Sequence, residues 1–234
     1  MSMASIAEPL FDRGDWWDEG SREFASLRSV TKFRLELLQQ WLPNGFAGRT
    51  VVDLGCGGGL LAVPLARAGA RVLGIDLATR ALCAATAQQC SGLQALQGDL
   101  GAVPIADRCA DLVLLADVIE HVDDPARVMA EAARILRPGG ALFVNTIHRT
   151  LRSRLFAITL GEGLGFIPRG THQWHKFVRP DELDRMAAMA GCARVRRSGE
   201  APRLWATLRQ RAVVLRPSRS LAVGYAALYQ KTNR

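Results

Sequence analysis

A glycine-rich turn directly after a short apolar stretch constrains this chain more than any other feature. Residues 51–60 read VVDLGCGGGL, with Asp53 two positions ahead of Gly55 and further glycines at positions 57 to 59. Glycine has no Cβ, so the backbone can turn tightly and a ligand can approach the peptide plane. The pattern predicts a β-strand followed by a ligand-binding turn at the start of a helix.

The spacing of these glycines differs from that of two well-known nucleotide-binding turns. A dinucleotide fingerprint needs its third glycine at position 60, where this chain has Leu60, and no Gly-Lys-Ser/Thr sequence of a phosphate-binding loop follows. An acidic residue ahead of the turn also suits a cationic ligand better than a pyrophosphate. A plain strand-to-helix turn remains an alternative for the segment taken alone. The pattern resembles motif I of the class I S-adenosylmethionine methyltransferases.

Two further predicted strands end in carboxylates. Residues 71–76 end at Asp76, 21 positions beyond Gly55, and residues 93–98 lead into Asp99. A carboxylate at the first position reaches ribose hydroxyls in nucleotide-binding βαβ units, and one at the second can meet an adenine edge. Either residue alone could instead cap a helix. Together with Asp53, these residues give three predicted strands in succession that end in a polar side chain. This succession favours a ligand at the carboxyl edge of a parallel sheet.

The order of predicted elements indicates an α/β fold. We expect a Rossmann-like class I methyltransferase with a seven-stranded, mostly parallel sheet in the order 3-2-1-4-5-7-6, flanked by helices. Residues 1–48 are predicted to form an N-terminal helical extension, and residues 49–234 the methyltransferase domain. Within that domain, residues 147–180 are too long for an ordinary connection and are expected to form a lid or acceptor loop. Residues 181–190 are predicted to form a helix, and residues 193–198 and 222–231 an antiparallel pair of strands.

Charge is unevenly distributed along the chain. The net charge of +8 divides into −4 for residues 1–148 and +12 for residues 149–234, where 17 basic residues face only 5 acidic ones. Such a basic half can meet nucleic acid, an anionic membrane surface or an acidic substrate, or simply be solvated. Five cysteines without metal-type spacing indicate reduced thiols, and residues 1–10 lack the order of a signal peptide. We therefore expect a cytoplasmic protein, with contact to the inner face of the membrane as one option.

Three chemically active side chains directly follow the fourth predicted strand. Asp117, Glu120 and His121 have the i, i+3, i+4 spacing that places side chains on one face of a helix. Two carboxylates and an imidazole can hold Mg²⁺, which would acidify and orient a bound phenol or catechol. Without metal, His121 can take that proton as a general base. The alternative is a helix-start cluster that only caps backbone amides.

Seven motifs occur here in the order found in the ubiquinone-biosynthesis O-methyltransferases, which this chain resembles over residues 11–190. They are Trp16-Trp17-Asp18, Asp53–Gly59, Gly74–Asp76, Glu120–Val122, Leu136–Gly140, Gly170–His172 and Lys176–Pro180. The glycine turn and Leu136–Gly140 are typical of all methyltransferases of this class. The Trp-Trp-Asp, Glu-His-Val and Gly-Thr-His motifs are much more specific to the family.

The resemblance implies methyl transfer from S-adenosylmethionine to a phenolic oxygen of a polyprenylated ring, assisted by Mg²⁺. By the match, Asp117, Glu120 and His121 would hold the metal, with His121 and Glu120 as catalytic residues. Position 117 is glutamate in the family pattern, and the family's C-terminal Gly-x-x-Tyr-Pro pattern is missing around Gly199. The predicted cofactor contacts, from the motifs and the match together, are Arg34, Asp53, Gly55, Cys56, Gly57, Asp76, Leu77, Asp99, Leu100 and Ala116.

Three other functions compete with this interpretation. A metal-independent methyltransferase of secondary metabolism would keep the cofactor and change the acceptor. An RNA-binding protein or RNA methyltransferase would use the basic half, but no RNA-binding module is recognisable, so a nucleic-acid partner is not favoured. An NAD oxidoreductase is opposed by Leu60 and by the absence of a hydride-transfer constellation.

Overall fold

Eight β-strands form the central sheet of the computed structural model, which describes residues 8–232. In chain order they are β1 (Thr50–Leu54), β2 (Arg71–Asp76), β3 (Leu93–Gln97), β4 (Ala110–Ala116), β5 (Leu136–Ile147), β6 (Cys192–Pro202), β7 (Leu215–Ser218) and β8 (Gly224–Lys231). Their order across the sheet is β3-β2-β1-β4-β5-β8-β6-β7. The first five are parallel, whereas β8, β6 and β7 pair antiparallel to their neighbours.

The predicted Rossmann-like fold is confirmed, with one more strand than the predicted seven. The additional strand, β7, is four residues long, lies at the sheet edge and pairs only with the end of β6. It contains Pro217, which cannot donate to a ladder and is tolerated in an edge strand. Four residues with a proline give no periodic signal, so the sequence did not predict this strand.

Within residues 8–232, eight α-helices flank the sheet. They are α1 (Glu8–Phe11), α2 (Ala25–Trp41), α3 (Ala62–Arg67), α4 (Thr79–Thr86), α5 (Pro125–Ile135), α6 (Leu151–Ser153), α7 (Pro180–Met189) and α8 (Leu204–Gln210). The short α6 continues as a π-helix over Arg154–Glu162, and a 3₁₀ turn covers Trp174–Lys176. The predicted lid segment thus carries helical structure of its own.

Buried apolar side chains pack on both faces of the sheet. Successive strand residues alternate between two clusters: Val52 and Leu54 lie with α5 and α7, and Val51 lies with α2 and α3. Leu37 and Leu38 of α2 belong to this second cluster, so the helix of the predicted N-terminal extension contributes to the domain core. The predicted boundary at residue 48 stays a prediction.

Across the described part of the chain, residues 8–232, no helix has the length and apolar character needed to cross a bilayer. The signal-peptide prediction concerns residues 1–10, and residues 1–7 of that stretch lie outside the described residues.

Candidate active site

A cavity of about 580 Å³ opens at the carboxyl ends of β1, β2 and β4. This is the edge at which open α/β sheets bind their ligands. The cavity extends from the glycine turn to the segment predicted as a lid, where Phe156, Leu160 and Ile167 line it. All ten residues predicted to contact the cofactor line it: Arg34, Asp53, Gly55, Cys56, Gly57, Asp76, Leu77, Asp99, Leu100 and Ala116.

The tryptophan pair near the N-terminus covers the glycine turn. Gly57 has φ +50°, and a Cβ at Gly57 or at Gly58 would overlap the ring of Trp16. Trp17 donates from Nε1 to the carbonyl oxygen of Gly58 at 2.7 Å, and Trp16 stacks on Phe24 with ring centroids 4.3 Å apart. Glycines are therefore required here to let the indole pack on the backbone, a role that the sequence motif alone did not reveal.

Asp76 joins the glycine turn to the end of β2. Its Oδ2 accepts a hydrogen bond from the backbone N–H of Gly57 at 2.8 Å, and its Oδ1 accepts one from Ala78 at 2.9 Å. Burial raises the pKa of this carboxyl although both hydrogen bonds oppose the shift. Each carboxylate oxygen has a second lone pair. Capping and ligand binding, the two interpretations of Asp76, are therefore compatible.

Asp53 and Cys56 lie beneath the turn. Asp53 is 2% exposed, and burial together with Asp76 raises its pKa to about 7. The Cys56 side chain packs over Gly74, where a Cβ would lie 2.7 Å from Sγ, and burial raises the pKa of the thiol. A side chain at position 74 would therefore collide with Cys56. Asp99, at the end of the next strand, accepts from Gly101 N–H at 2.8 Å.

Residues 117–121 form a turn, so the predicted helical face for Asp117, Glu120 and His121 is wrong. Asp117 has φ +53°, a left-handed conformation in which a helix cannot begin, and α5 begins only at Pro125. Strained non-glycine residues of this kind are concentrated at functional sites. Within this turn, Asp117 contacts Arg34, Glu120 contacts Thr146 and His121 contacts His172.

Each of the three predicted metal ligands has other contacts. Asp117 accepts two hydrogen bonds from the guanidinium of Arg34 and one from Asn145 Nδ2 at 3.0 Å. Glu120 is 1% exposed and accepts from Thr146 Oγ1 at 2.8 Å. Its burial and the neighbouring Asp117 raise its pKa to about 8.

His121 lies on the lid side of this turn. Its ring stacks on His172 with centroids 5.7 Å apart, and removal from water, followed by the effect of His172, lowers its pKa to about 4. Across residues 8–232, no group of three or more His, Cys, Asp and Glu side chains is placed to hold a metal ion. The predicted ligand set is therefore not assembled, and this arrangement does not fit a divalent cation.

A buried carboxylate orients a histidine in the Gly-Thr-His motif. Glu162 accepts from the backbone N–H groups of Gly170 at 2.8 Å and His172 at 2.9 Å, and its Oε1 lies 3.0 Å from His172 Nδ1. The motif thus ties the loop after the π-helix to the end of that helix. His172 lines the cavity, although the sequence assigned it no role beyond the motif.

Glu200 is a cavity residue that sequence reasoning missed. It is 3% exposed, lies 3.9 Å from Arg34, and its Oε1 has no hydrogen-bond partner among residues 8–232. Burial raises its pKa to about 7, against the opposing effect of Arg34. The signal available in the sequence was a lone glutamate in a stretch of arginines, beside the position where the family's C-terminal pattern is missing.

Relatives of this chain in sequence are methyltransferases. The family described as "Methyltransferase domain" matches residues 52–144. The ubiquinone biosynthesis O-methyltransferase of Ralstonia nicotianae is 41% identical over 181 residues, which are 75% of this chain and 75% of the relative. The enzyme of the same description from Methylococcus capsulatus is 41% identical over 182 residues, with the same shares of both chains.

Solved structures share the fold at lower identity. An S-adenosylmethionine-dependent methyltransferase of Thermotoga maritima, described as a possible histamine N-methyltransferase, superposes with a TM-score of 0.71 at 24% identity, covering 96% of this chain and 99% of that one. The magnesium protoporphyrin IX methyltransferase of Synechocystis, solved with S-adenosylhomocysteine, gives a TM-score of 0.65 at 17% identity, covering 93% and 91%.

Proposed function

Because the chain belongs to the family of ubiquinone biosynthesis O-methyltransferases, and so to the S-adenosylmethionine-dependent methyltransferases, we propose that it methylates a hydroxyl oxygen of a phenol or catechol. One observation carries this proposal: a single cavity joins the residues of the glycine turn to an apolar region under the lid. Such a cavity can place a methyl donor and an aromatic ring side by side. Positioning of this kind supplies much of the rate in a two-substrate reaction.

The residues at the turn are proposed to hold the cofactor. Asp76 would accept hydrogen bonds from the ribose hydroxyls, Asp99 and Leu100 would meet the adenine, and Arg34 and Asp53 would meet the charged amino-acid end. When bound, S-adenosylmethionine supplies an electrophilic methyl group on a sulfonium. The chain must then exclude water and accept the proton that the acceptor hydroxyl loses.

His121 is the residue proposed to accept that proton. It lines the cavity, and its lowered pKa of about 4 keeps the imidazole neutral at physiological pH, although the same shift makes it a weaker base than an exposed histidine. Glu120 does not line the cavity, so we propose that it acts through Thr146, which does line the cavity and donates to Glu120. Glu120 is then a positioning residue.

The direct test is turnover with radiolabelled S-adenosylmethionine and catechol as acceptor. Label should appear in the O-methylated product, and a ring whose hydroxyls are all methylated should take up none. A thermal-shift comparison gives an independent check, because a ligand that binds the native state raises apparent stability. S-adenosylhomocysteine should raise the melting temperature, whereas NAD and NADP should not.

Metal assistance is the part of the family resemblance that the side chains do not fit. Asp117 is paired with Arg34, and Glu120 with Thr146, so a divalent cation would have to displace both contacts. This arrangement favours the second candidate, a metal-independent O-methyltransferase, and we derive no step through Mg²⁺. Turnover of catechol that survives dialysis against EDTA supports this candidate. Loss of turnover that Mg²⁺ restores would show that the side chains rearrange.

A polyprenylated acceptor would require access to the bilayer, and we propose a peripheral contact through the two segments that border the lid side of the cavity. Six apolar side chains of these segments are 47–87% exposed, namely Leu151, Leu155, Leu164, Leu204, Trp205 and Leu208. Arg152, Arg154, Arg203 and Arg209 are exposed beside them in sequence. Each cation near an anionic surface adds about 1 kcal/mol to binding.

Liposome flotation tests this contact. The protein should float with anionic vesicles at low salt, less with neutral ones, and Leu164→Glu combined with Leu208→Glu, two exposed residues that also line the cavity, should abolish flotation. Met189→Glu is the matched control, because Met189 is 86% exposed but does not line the cavity. Absence of flotation of the unmodified protein with anionic vesicles would leave these residues as a lid only.

A further inference from the structure

The cavity is lined by one buried carboxylate, Glu200, that no family motif accounts for. Glu200 lies in β6 opposite Gly224 of β8 and lines the cavity with 3% of its surface exposed. A Cβ at Gly224 would lie 3.6 Å from Glu200 Oε2, an ordinary van der Waals distance, so the carboxylate lies directly against this part of β8. The strand pairing therefore holds Glu200 at the wall of the cavity.

The oxygen atoms of Glu200 differ in their surroundings. Oε2 lies 3.9 Å from Arg34 Nη2, whereas Oε1 is buried and has no hydrogen-bond partner among the described residues. A buried carboxylate oxygen without a partner costs free energy on the order of 1–3 kcal/mol. A ligand in the cavity that donates a hydrogen bond to this carboxylate offsets part of that cost.

Arg34 does not neutralise every carboxylate around it. Both of its terminal nitrogens donate to Asp117, which leaves Glu200 at the longer distance of 3.9 Å. Glu120 is the third carboxylate near this guanidinium, and it too has one oxygen without a partner among residues 8–232. One arginine thus faces three acidic side chains, so this part of the cavity is rich in hydrogen-bond acceptors, and both terminal nitrogens of the arginine are already bound to Asp117.

On the basis of the proposed function, we infer that Glu200 determines which acceptors the enzyme binds. Its carboxylate accepts a hydrogen bond from a hydroxyl or amine on the aromatic ring, and its charge disfavours rings that carry a carboxylate. The acceptor class is therefore a neutral or cationic ring with at least one donor besides the group that receives the methyl. A carboxylate on the ring would meet Glu200, while both terminal nitrogens of Arg34 are already bound to Asp117.

Equilibrium binding separates this inference from the proposed reaction. Catechol and 3,4-dihydroxybenzoate are titrated calorimetrically at pH 8, above the pKa of about 7 of Glu200, into the enzyme saturated with S-adenosylhomocysteine, so no methyl transfer is needed. The unmodified enzyme should bind catechol at least tenfold more tightly than the carboxylated ring. Glu200→Gln, which keeps the size and removes the charge, should reduce this preference at least tenfold. Glu200→Leu, which removes the accepting oxygens, should weaken catechol binding at least tenfold.

Two controls separate recognition by Glu200 from general effects of a substitution. Glu36→Gln makes the same substitution at an exposed position of α2 and should leave the preference unchanged. The affinity of both Glu200 variants for S-adenosylhomocysteine should stay within about threefold of the unmodified enzyme. A parallel loss of cofactor affinity and catechol binding would mean that Glu200 only supports Arg34, and the inference would fail.

The remaining outcomes are also decisive. An unchanged preference in Glu200→Gln, tighter binding of the carboxylated ring by the unmodified enzyme, or binding of neither ring would overturn the inference. If Glu200→Leu does not fold, the charge-removing variant alone decides. If the rings bind as expected but no methyl is transferred to either, the proposed function fails while the role of Glu200 in recognition stands.

Discussion

The guanidinium of Arg34 donates two hydrogen bonds to the carboxylate of Asp117, from which it is separated by 83 positions in the sequence. Arg34 lies in α2, and Asp117 is the strained residue that follows β4. The pair fixes the N-terminal helix against the edge of the sheet at which the cavity opens. It also occupies the carboxylate that the sequence assigned to a metal.

Breaking this pair should cost substantial stability. Arg34→Leu should lower the free energy of unfolding by about 3–5 kcal/mol, because Asp117 and the buried Glu200 lose their counter-charge. Urea denaturation gives the measurement. Lys32→Leu, which removes an exposed cation from the same helix, should change stability by less than about 0.5 kcal/mol. Equal effects of the two substitutions would show that the buried pair contributes nothing.

Cofactor affinity should depend on Asp76. Asp76→Ala should weaken binding of S-adenosylhomocysteine by about 2–3 kcal/mol, the scale for removing a charged hydrogen-bond acceptor. The turn should also lose stability, since Gly57 and Ala78 lose the partner of their N–H groups. Isothermal titration measures the affinity, with the exposed Asp107→Ala as control. Unchanged affinity would remove Asp76 from the ribose site.

The packing of Trp16 on the glycine turn predicts a steric coupling. Gly58→Ala should destabilise the protein by about 1–3 kcal/mol, because the new methyl group overlaps the indole. In a Trp16→Ala background the same substitution should cost much less, and chemical denaturation of the four proteins measures the coupling. Gly14→Ala, where no atom lies within 4 Å of the added Cβ, is the control. Strict additivity would contradict the contact.

Asp53 should make stability depend on pH. Its pKa is raised from 3.8 to about 7, so the folded protein holds a proton that the unfolded chain releases above about pH 4. This contribution is fully present at low pH and is lost as the pH rises through 7. The free energy of unfolding of the unmodified protein should fall between pH 5 and pH 8. In Asp53→Asn, which has no carboxyl to ionise at this position, the fall should be smaller by about 1–3 kcal/mol. Denaturation midpoints at both pH values decide, and parallel losses would argue against a buried, protonated Asp53.

His121 should affect turnover more than cofactor binding. His121→Ala is expected to lower kcat by about 10²–10⁴-fold, the range of general-base catalysis, with little change in affinity for S-adenosylhomocysteine. Because the pKa of His121 is about 4, the rate of the unmodified enzyme should show no inflection near pH 6.5. Near-normal rates of the variant on catechol across the pH range would assign the 117–121 turn a purely structural role.

The sequence predicted local features well. The strand 71–76 and the helix after Pro180 lie where their patterns place them, within a residue, because apolar periodicity and turn residues act over a few positions. The eighth strand and the turn at 117–121 were missed for the opposite reason. β7 forms because the end of β6 provides an edge for it to pair with. Asp117 adopts a left-handed backbone conformation, with φ +53°, and its carboxylate accepts hydrogen bonds from Arg34, a residue distant in sequence.

By itself, the sequence determined the class of fold, the family and the residues that gather at the carboxyl edge of the sheet. These depend on strand order and on motifs that each span fewer than ten residues. The tertiary structure alone decided what those side chains contact: it pairs Asp117 with Arg34, encloses Glu120 and leaves one oxygen of Glu200 buried without a partner among the described residues. The physical reason is that hydrogen bonding and burial of a charge depend on residues brought together from distant parts of the chain, which no local pattern encodes.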